Sequence, residues 1–305
     1  MGTVPGFDPV TEHDKTRAAL RAVVPRLVRL LRDVPDPDAS SGVPVWTVGD
    51  VGAHLAAVYL AYCSIVSAVS AVSADSSAET MEQYAETMES VEWDSVLPPG
   101  DASFTERIAA MNAKSVELFG GDEHVRPGDF IAERGKTFLR LTEGLAPDTP
   151  VSAPWYGQGT TITLATVTGL MLSESLVHGL DIARGTGLPW PIGPDEARLV
   201  LGQSMPTMMA LALDTAKAQG VSIAFDLRIK GGLRLAVVVE DGTMTVTRDA
   251  PPRTYDCTIT AAPATFLLVS FRRTPIWKAI ARGHMRAGGR RPWLAMRLGE
   301  LVASP

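Results

Sequence analysis

The apolar positions of this chain change their period once. Between residues 11 and 33, Ala18, Leu20, Val23, Val24, Leu27, Leu30 and Leu31 recur at helical spacing and predict an amphipathic helix. A second helix is expected from Thr47, where Thr47-Val-Gly-Asp50 fits a capping box, hydroxyl and carboxylate closing the first turn. A third helical element covers 103–119 and resumes over 129–145. A fourth covers 161–185. A fifth, 194–218, is interrupted or kinked near Pro206.

Past residue 220 the period shortens to two. Ile223, Phe225, Leu227 and Ile229 alternate with Ala224, Asp226 and Arg228, which predicts a half-buried strand. Gly231-Gly232 turns the chain into LRLAVVVE, and Asp241-Gly242 turns it into TMTVTRD. DCTITA predicts a fourth strand. From Pro263 the pattern returns to helix in TFLLVSF, IWKAIARGHM and WLAMRLGELV. The expected architecture is therefore a helical bundle over residues 1–219. A small C-terminal α/β domain with an antiparallel sheet follows over 220–305. No internal repeat or low-complexity tract interrupts it.

Composition narrows the function classes. The chain has 305 residues, 46% hydrophobic and 20% charged, enough for two cores. A net charge of −6 argues against a partner held by its phosphate backbone, so no nucleic acid is expected. The two cysteines, Cys63 and Cys257, rule out a disulfide framework or a Cys-x-x-Cys site, and cytoplasmic localisation is expected. The N-terminus, MGTVPGFDPVTEHDKTR, lacks the basic-then-apolar order of a signal peptide. Residues 51–74 carry no formally charged side chain and are long enough to span a bilayer. Their Ala and Ser content, His54 and the flanking Asp50 and Asp75 favour a buried bundle helix, so no membrane partner is expected. Between Asp75 and Asp101 lie eight acidic residues and no basic ones. That stretch reads as a solvated surface helix, and its sharper reading is a lid that repels anions.

Candidate chemistry concentrates on two apolar helices. Of the five histidines, His13, His124 and His284 sit in polar or basic surroundings and read as surface residues. His54 and His178 lie in apolar helices. Glu174, His178 and Asp181 are spaced i, i+4 and i+7, which places all three on one helical stripe. A carboxylate and an imidazole one turn apart can chelate a divalent ion, although Glu-x-x-x-His alone is a weak motif. With His54 from another helix, three ligands become available and one coordination position stays open, the arrangement of a catalytic metal site. Asp181 then suits the task of orienting a ligand imidazole. Cys63, nine positions after His54, falls half a turn out of phase and should face away from such a metal.

These residues carry a resemblance. Trp46-Thr-Val-Gly-Asp-Val-Gly-Ala-His54-Leu resembles the second-helix motif of the DinB-like four-helix metalloproteins. Glu174-Ser-Leu-Val-His178-Gly-Leu-Asp181-Ile-Ala-Arg184 resembles the fourth-helix motif of their mycothiol-dependent maleylpyruvate isomerase branch. The region from about 221 onward is similar to the sterol-carrier-protein-type α/β domain often appended there, so the resemblance covers nearly the whole chain.

The resemblance implies a DinB-like four-helix bundle in which His54, Glu174 and His178 bind one divalent ion, zinc first among the candidates. It implies catalytic roles for these three and Asp181. Mycothiol or a similar low-molecular-weight thiol would be the cosubstrate and a small electrophile the substrate. The activity would be isomerisation or thiol transfer. The family is mostly actinobacterial, and a monomer or homodimer is expected. An anionic substrate is expected in a cleft at the domain boundary. Trp155 and Tyr156, just before the fourth helix, read as core or rim packing and, in the sharper reading, as walls of the metal pocket. Seven basic residues between Arg272 and Arg291 read as a solvated face or, in part, as a carboxylate clamp. Two other classes remain open: a metal hydrolase using bound water, and a non-catalytic ligand-binding protein. The hydrolase needs a general base, and Asp50 is expected to be spent in the capping box.

Overall fold

The computed structural model describes residues 6–73, 102–120, 126–157, 159–248 and 251–303. The acidic stretch 75–101 and His124 lie outside the described residues. The chain divides into two compact units, Lys15–Pro191 and Met1–Asp14 with Ile192–Pro305.

The first unit is helical. Helix α1 (His13–Arg32) belongs to it from Lys15 onward, followed by α2 (Val48–Ser73), α3 (Phe104–Gly120), α4 (Pro127–Leu141) and α5 (Leu164–Thr186). A short antiparallel hairpin, β1 (Pro150–Ser152) and β2 (Thr161–Thr163), precedes α5. Helix α2 lies against α3, α4 and α5. It is apolar and long enough to cross a membrane by length and composition, yet 67% of it is buried inside the fold. Its start follows the expected capping box: Thr47 N donates to Asp50 Oδ2 at 2.8 Å and Asp50 N donates to Thr47 Oγ1 at 3.0 Å. Gly135 lets α4 approach α1, since a Cβ there would meet Val24 Cγ1 at 2.9 Å. Cys63 points to α4, its thiol donating to Arg134 O at 3.3 Å.

The second unit is a five-stranded sheet with helices. The strands are β3 (Ser222–Ile229), β4 (Leu233–Glu240), β5 (Thr243–Arg248), β6 (Cys257–Ala261) and β7 (Met285–Gly288), in the order β5-β4-β3-β6-β7. All neighbours are antiparallel except β3 and β6, which pair in parallel. The sheet is thus antiparallel-rich with one parallel pair, and β7 is a strand where helix or loop was expected. Phe225, Leu227, Leu235, Val237 and Ile259 bury one face. Helices α9 (Pro263–Ser270), α10 (Ile276–Ala281) and α11 (Ala295–Leu301) follow β6 and β7.

The expected helix over 194–218 is three shorter ones, α6 (Pro194–Gln203), α7 (Met205–Leu211) and α8 (Thr215–Ala218). The first break falls at Ser204, because Pro206 sits in the first turn of α7 and cannot continue α6. By compactness these helices belong with the sheet, so the division falls at 191–192 rather than at 219–220. Arg248 on β5 donates to Gly202 O at 2.8 Å, and α7 packs on β5. The N-terminal residues join the same unit. Phe7 is buried against Gly202, where any Cβ would meet its ring at 2.3 Å, and Gln203 donates to Pro9 O at 3.0 Å.

Candidate metal centre

Helix α5 supplies two of the three candidate ligands. Thr163 caps it, its hydroxyl accepting from Thr166 N at 3.2 Å, and Gly187 ends it in the left-handed conformation at φ 72°. Most of its surface is buried, so Glu174 and His178 emerge from an apolar rod. Gly179, next to His178, accommodates the Trp190 ring, since a Cβ there would lie 2.3 Å from it. Trp190 Nε1 donates to Leu176 O at 2.8 Å, and the Arg26 guanidinium covers the ring 4.4 Å from its centroid. This packing fixes the rotation of α5 and with it the stripe carrying Glu174, His178 and Asp181.

The three side chains meet. His178 Nε2 lies 3.2 Å and His54 Nε2 lies 3.5 Å from the same oxygen, Glu174 Oε2. One donor atom from each residue falls within 4.8 Å of the other two. The imidazole rings stand edge to face, 4.8 Å apart. His54 is buried, while Glu174 keeps 22% and His178 14% of their side-chain surface exposed. The cluster therefore has an opening.

The other ring nitrogens are held from outside. His178 Nδ1 lies 3.0 Å from Oδ2 of fully buried Asp181, which assigns its Nδ1 as the protonated nitrogen. His54 Nδ1 lies 3.4 Å from Ser115 Oγ. Ser115 spends its own proton on Asn112 O at 2.7 Å, so its oxygen is left to accept from His54. Both neutral rings then turn an Nε2 lone pair toward one carboxylate oxygen. Lone pairs and a carboxylate at this distance repel unless a proton or a cation lies between them.

The electrostatics express the same tension. Burial pushes the Glu174 carboxyl up, but hydrogen bonds from His178 and His54 outweigh it and hold the group well below the usual carboxylate range. Burial pulls His178 down, yet Asp181 and Glu174 raise it to about 9. Without a metal, a proton occupies the cluster at neutral pH. The donor set fits a divalent ion: two imidazole nitrogens and a carboxylate oxygen lie within 4.8 Å of one another.

Sequence reasoning missed Ser115 and the position of Trp46. Ser115 comes from α3, and only tertiary packing brings it to His54. The Trp46 ring stacks at a tilt 5.2 Å from the His54 ring, on a loop pinned to α5 by Gly42 N donating to Asp181 O at 2.9 Å. Trp155 and Tyr156 are buried in aromatic packing, with Tyr62 Oη 3.0 Å from Tyr156 Oη. Asp50 is engaged in the α2 cap, which leaves the hydrolase reading without that base. Cys63 is pushed up to about 12 by burial, so it offers no thiolate.

The N-terminal domain family of mycothiol maleylpyruvate isomerases matches residues 17–183, more than half of the chain and all of this cluster. The chain belongs to the mycothiol maleylpyruvate isomerase family. It is a family of enzymes, and here its domain is joined to a match to the SCP-2 sterol transfer family over residues 200–302. Among solved structures, a histidine-to-alanine variant of a mycothiol-dependent maleylpyruvate isomerase aligns at 13% identity, covering 94% of this chain and 96% of that one, TM-score 0.49. The enzyme without that substitution aligns at 16% identity over 90% and 93%, TM-score 0.45. A stereoselective inverting sec-alkylsulfatase from Pseudomonas sp. aligns at 16% identity over 70% of this chain, TM-score 0.31, and the chain spans 31% of its length. No curated protein matches the chain.

Proposed function

We propose that His54, Glu174 and His178 hold one divalent metal ion, zinc by preference, and that the protein is a thiol-dependent isomerase or transferase acting on a small electrophile. The observation that carries this reading is the convergence of two imidazole nitrogens on Glu174 Oε2, with Asp181 and Ser115 behind them. When bound, such an ion supplies a Lewis acid that lowers the pKa of a thiol brought to it.

The chain's own residues do the positioning. Asp181 keeps the proton on His178 Nδ1, so that Nε2 stays available at the centre. Ser115 does the same for His54. The apolar bodies of α2 and α5 exclude water behind the cluster, while exposed edges of Glu174 and His178 leave one side open to a cosubstrate. Both cysteines are free and buried, with thiol pKa values raised by burial, so the sulfur has to come from outside. The family's name supplies the first candidates: mycothiol as the thiol and maleylpyruvate as the electrophile. Free thiols also suit the reducing compartment in which such a cosubstrate persists.

The test is turnover of maleylpyruvate and of other electrophilic carbonyl compounds with and without mycothiol. Activity that requires the thiol and is lost in Glu174→Ala supports the reading. Hydrolysis of an ester or amide without any thiol would replace it with the hydrolase alternative.

A further inference from the structure

Six large hydrophobic side chains are exposed among the described residues, and four of them fall within one short stretch: Trp277 (68%), Ile280 (50%), Trp293 (69%) and Met296 (51%). Trp277 and Ile280 are three apart on α10 and share a face, opposite buried Ala279. Trp293 and Met296 repeat that spacing across the 3₁₀ turn Pro292–Leu294 and the start of α11. Helix α10 and this turn both pack on β7, the outermost strand of the sheet. Two aromatic–aliphatic pairs therefore flank one edge of the C-terminal unit.

The charge around them is one-sided. From residue 257 to the end there are eight Lys and Arg residues and a single acidic one, Glu300, in a chain of net charge −6. Lys278, Arg282 and Arg286 are exposed and make no ion pair among the described residues. Arg290 and Arg291 reach Asp256 at 3.3 and 3.6 Å while more than half of each side chain stays exposed. A monomer normally hides paired aromatics or scatters them, and here they are kept together inside a cationic rim.

The geometry points to a membrane-docking face: Trp277, Ile280, Trp293 and Met296 enter the headgroup region of an anionic bilayer while the surrounding Lys and Arg side chains contact its phosphates. Tryptophan prefers the depth of the headgroups, and basic side chains gain from an anionic leaflet. The aliphatic members favour a bilayer over a nucleic acid, because stacking on bases would leave Ile280 and Met296 in water. Docking of this kind is peripheral and uses no spanning helix.

The experiment is flotation of the full chain with vesicles of phosphatidylcholine, with and without phosphatidylglycerol, at about 0.05 and 0.5 M salt. Expected is binding to the anionic vesicles at low salt only. It should weaken about tenfold in Trp277→Ala/Trp293→Ala and similarly in Lys278→Glu/Arg282→Glu. All four substituted side chains are on the surface, and unchanged thermal melting confirms that the variants fold. Failure of the wild type to bind at low salt, or equal binding by the variants, overturns the proposal. So does a wild-type dimer that Trp277→Ala/Trp293→Ala returns to monomer, since the face is then covered by a second copy.

Discussion

Asp226 and Glu174 are both carboxylates set into the body of a compact unit, and they are neutralised in different ways. Asp226, on β3, is 1% exposed and is gripped by Arg228 at 2.7 Å and by Arg234 at 2.6 Å, with a second Arg234 contact at 2.9 Å. Glu174, on α5, is held between two imidazoles. Guanidinium groups stay charged at every accessible pH, so Asp226 is balanced by the protein alone. Imidazoles do not, and those of His54 and His178 bring lone pairs to the carboxylate whenever they are neutral. The first cluster is complete as it stands. The second needs a cation, and either a proton or a metal ion can serve. That contrast separates a structural ion cluster from a metal centre better than burial does.

The contrast can be broken most severely at the ligands. His54→Ala or His178→Ala should reduce thiol-dependent turnover at least a thousandfold, measured as initial rate at saturating metal, because three ligands become two. Matching loss is not expected from Arg228→Ala. Next comes Asp181→Ala, which frees the His178 ring and should lower metal affinity about 10–100-fold in competition with a chromophoric chelator. Asp181→Asn should lose less, since the amide oxygen can still accept from Nδ1.

A pH series sharpens the same difference. In the metal-free protein His178 holds its proton up to about 9, so metal binding must displace it. Metal affinity should rise about tenfold per pH unit from neutrality toward pH 9 and then flatten. The stability that His178 gains from its proton is present below its unfolded value near 6.5 and is lost as pH rises through about 9. Metal-free protein should therefore melt at lower temperature at pH 9.5 than at pH 7, and zinc-loaded protein should not follow. Asp226, held below the ordinary carboxylate range mainly by its arginines against the cost of burial, contributes stability that fails only in acid. The smallest effect is Arg234→Ala. Arg228 and water partly replace the lost contacts, so urea unfolding should show a loss of about 1–2 kcal/mol with metal content unchanged.

The ligands were legible because helical spacing survives folding. Glu174, His178 and Asp181 share a stripe on any straight helix, and His54 stood out as a polar group in an apolar run. Ser115 was not legible, since nothing in α3 marks the residue that will meet His54. Strand β7 was missed because Met-Arg-Ala-Gly carries no alternation of its own; pairing with β6, Ala261 to Met285 and Ile259 to Ala287, makes it a strand. The placement of α6 to α8 was missed for a related reason. Periodicity shows that a helix has an apolar face but not that the face rests on a sheet. Asp226 read as the polar alternate of a half-exposed strand, and only the fold shows it buried under two arginines.

The central claim is that the cation between Glu174 and the two imidazoles is a metal ion. Elemental mass spectrometry on the purified wild type, His54→Ala and Glu174→Ala tests it most directly. The account predicts about one divalent ion per chain in the wild type and close to none in either variant. A wild type that holds no metal, even after incubation with zinc, would contradict it and leave a proton as the cation between Glu174 and the imidazoles.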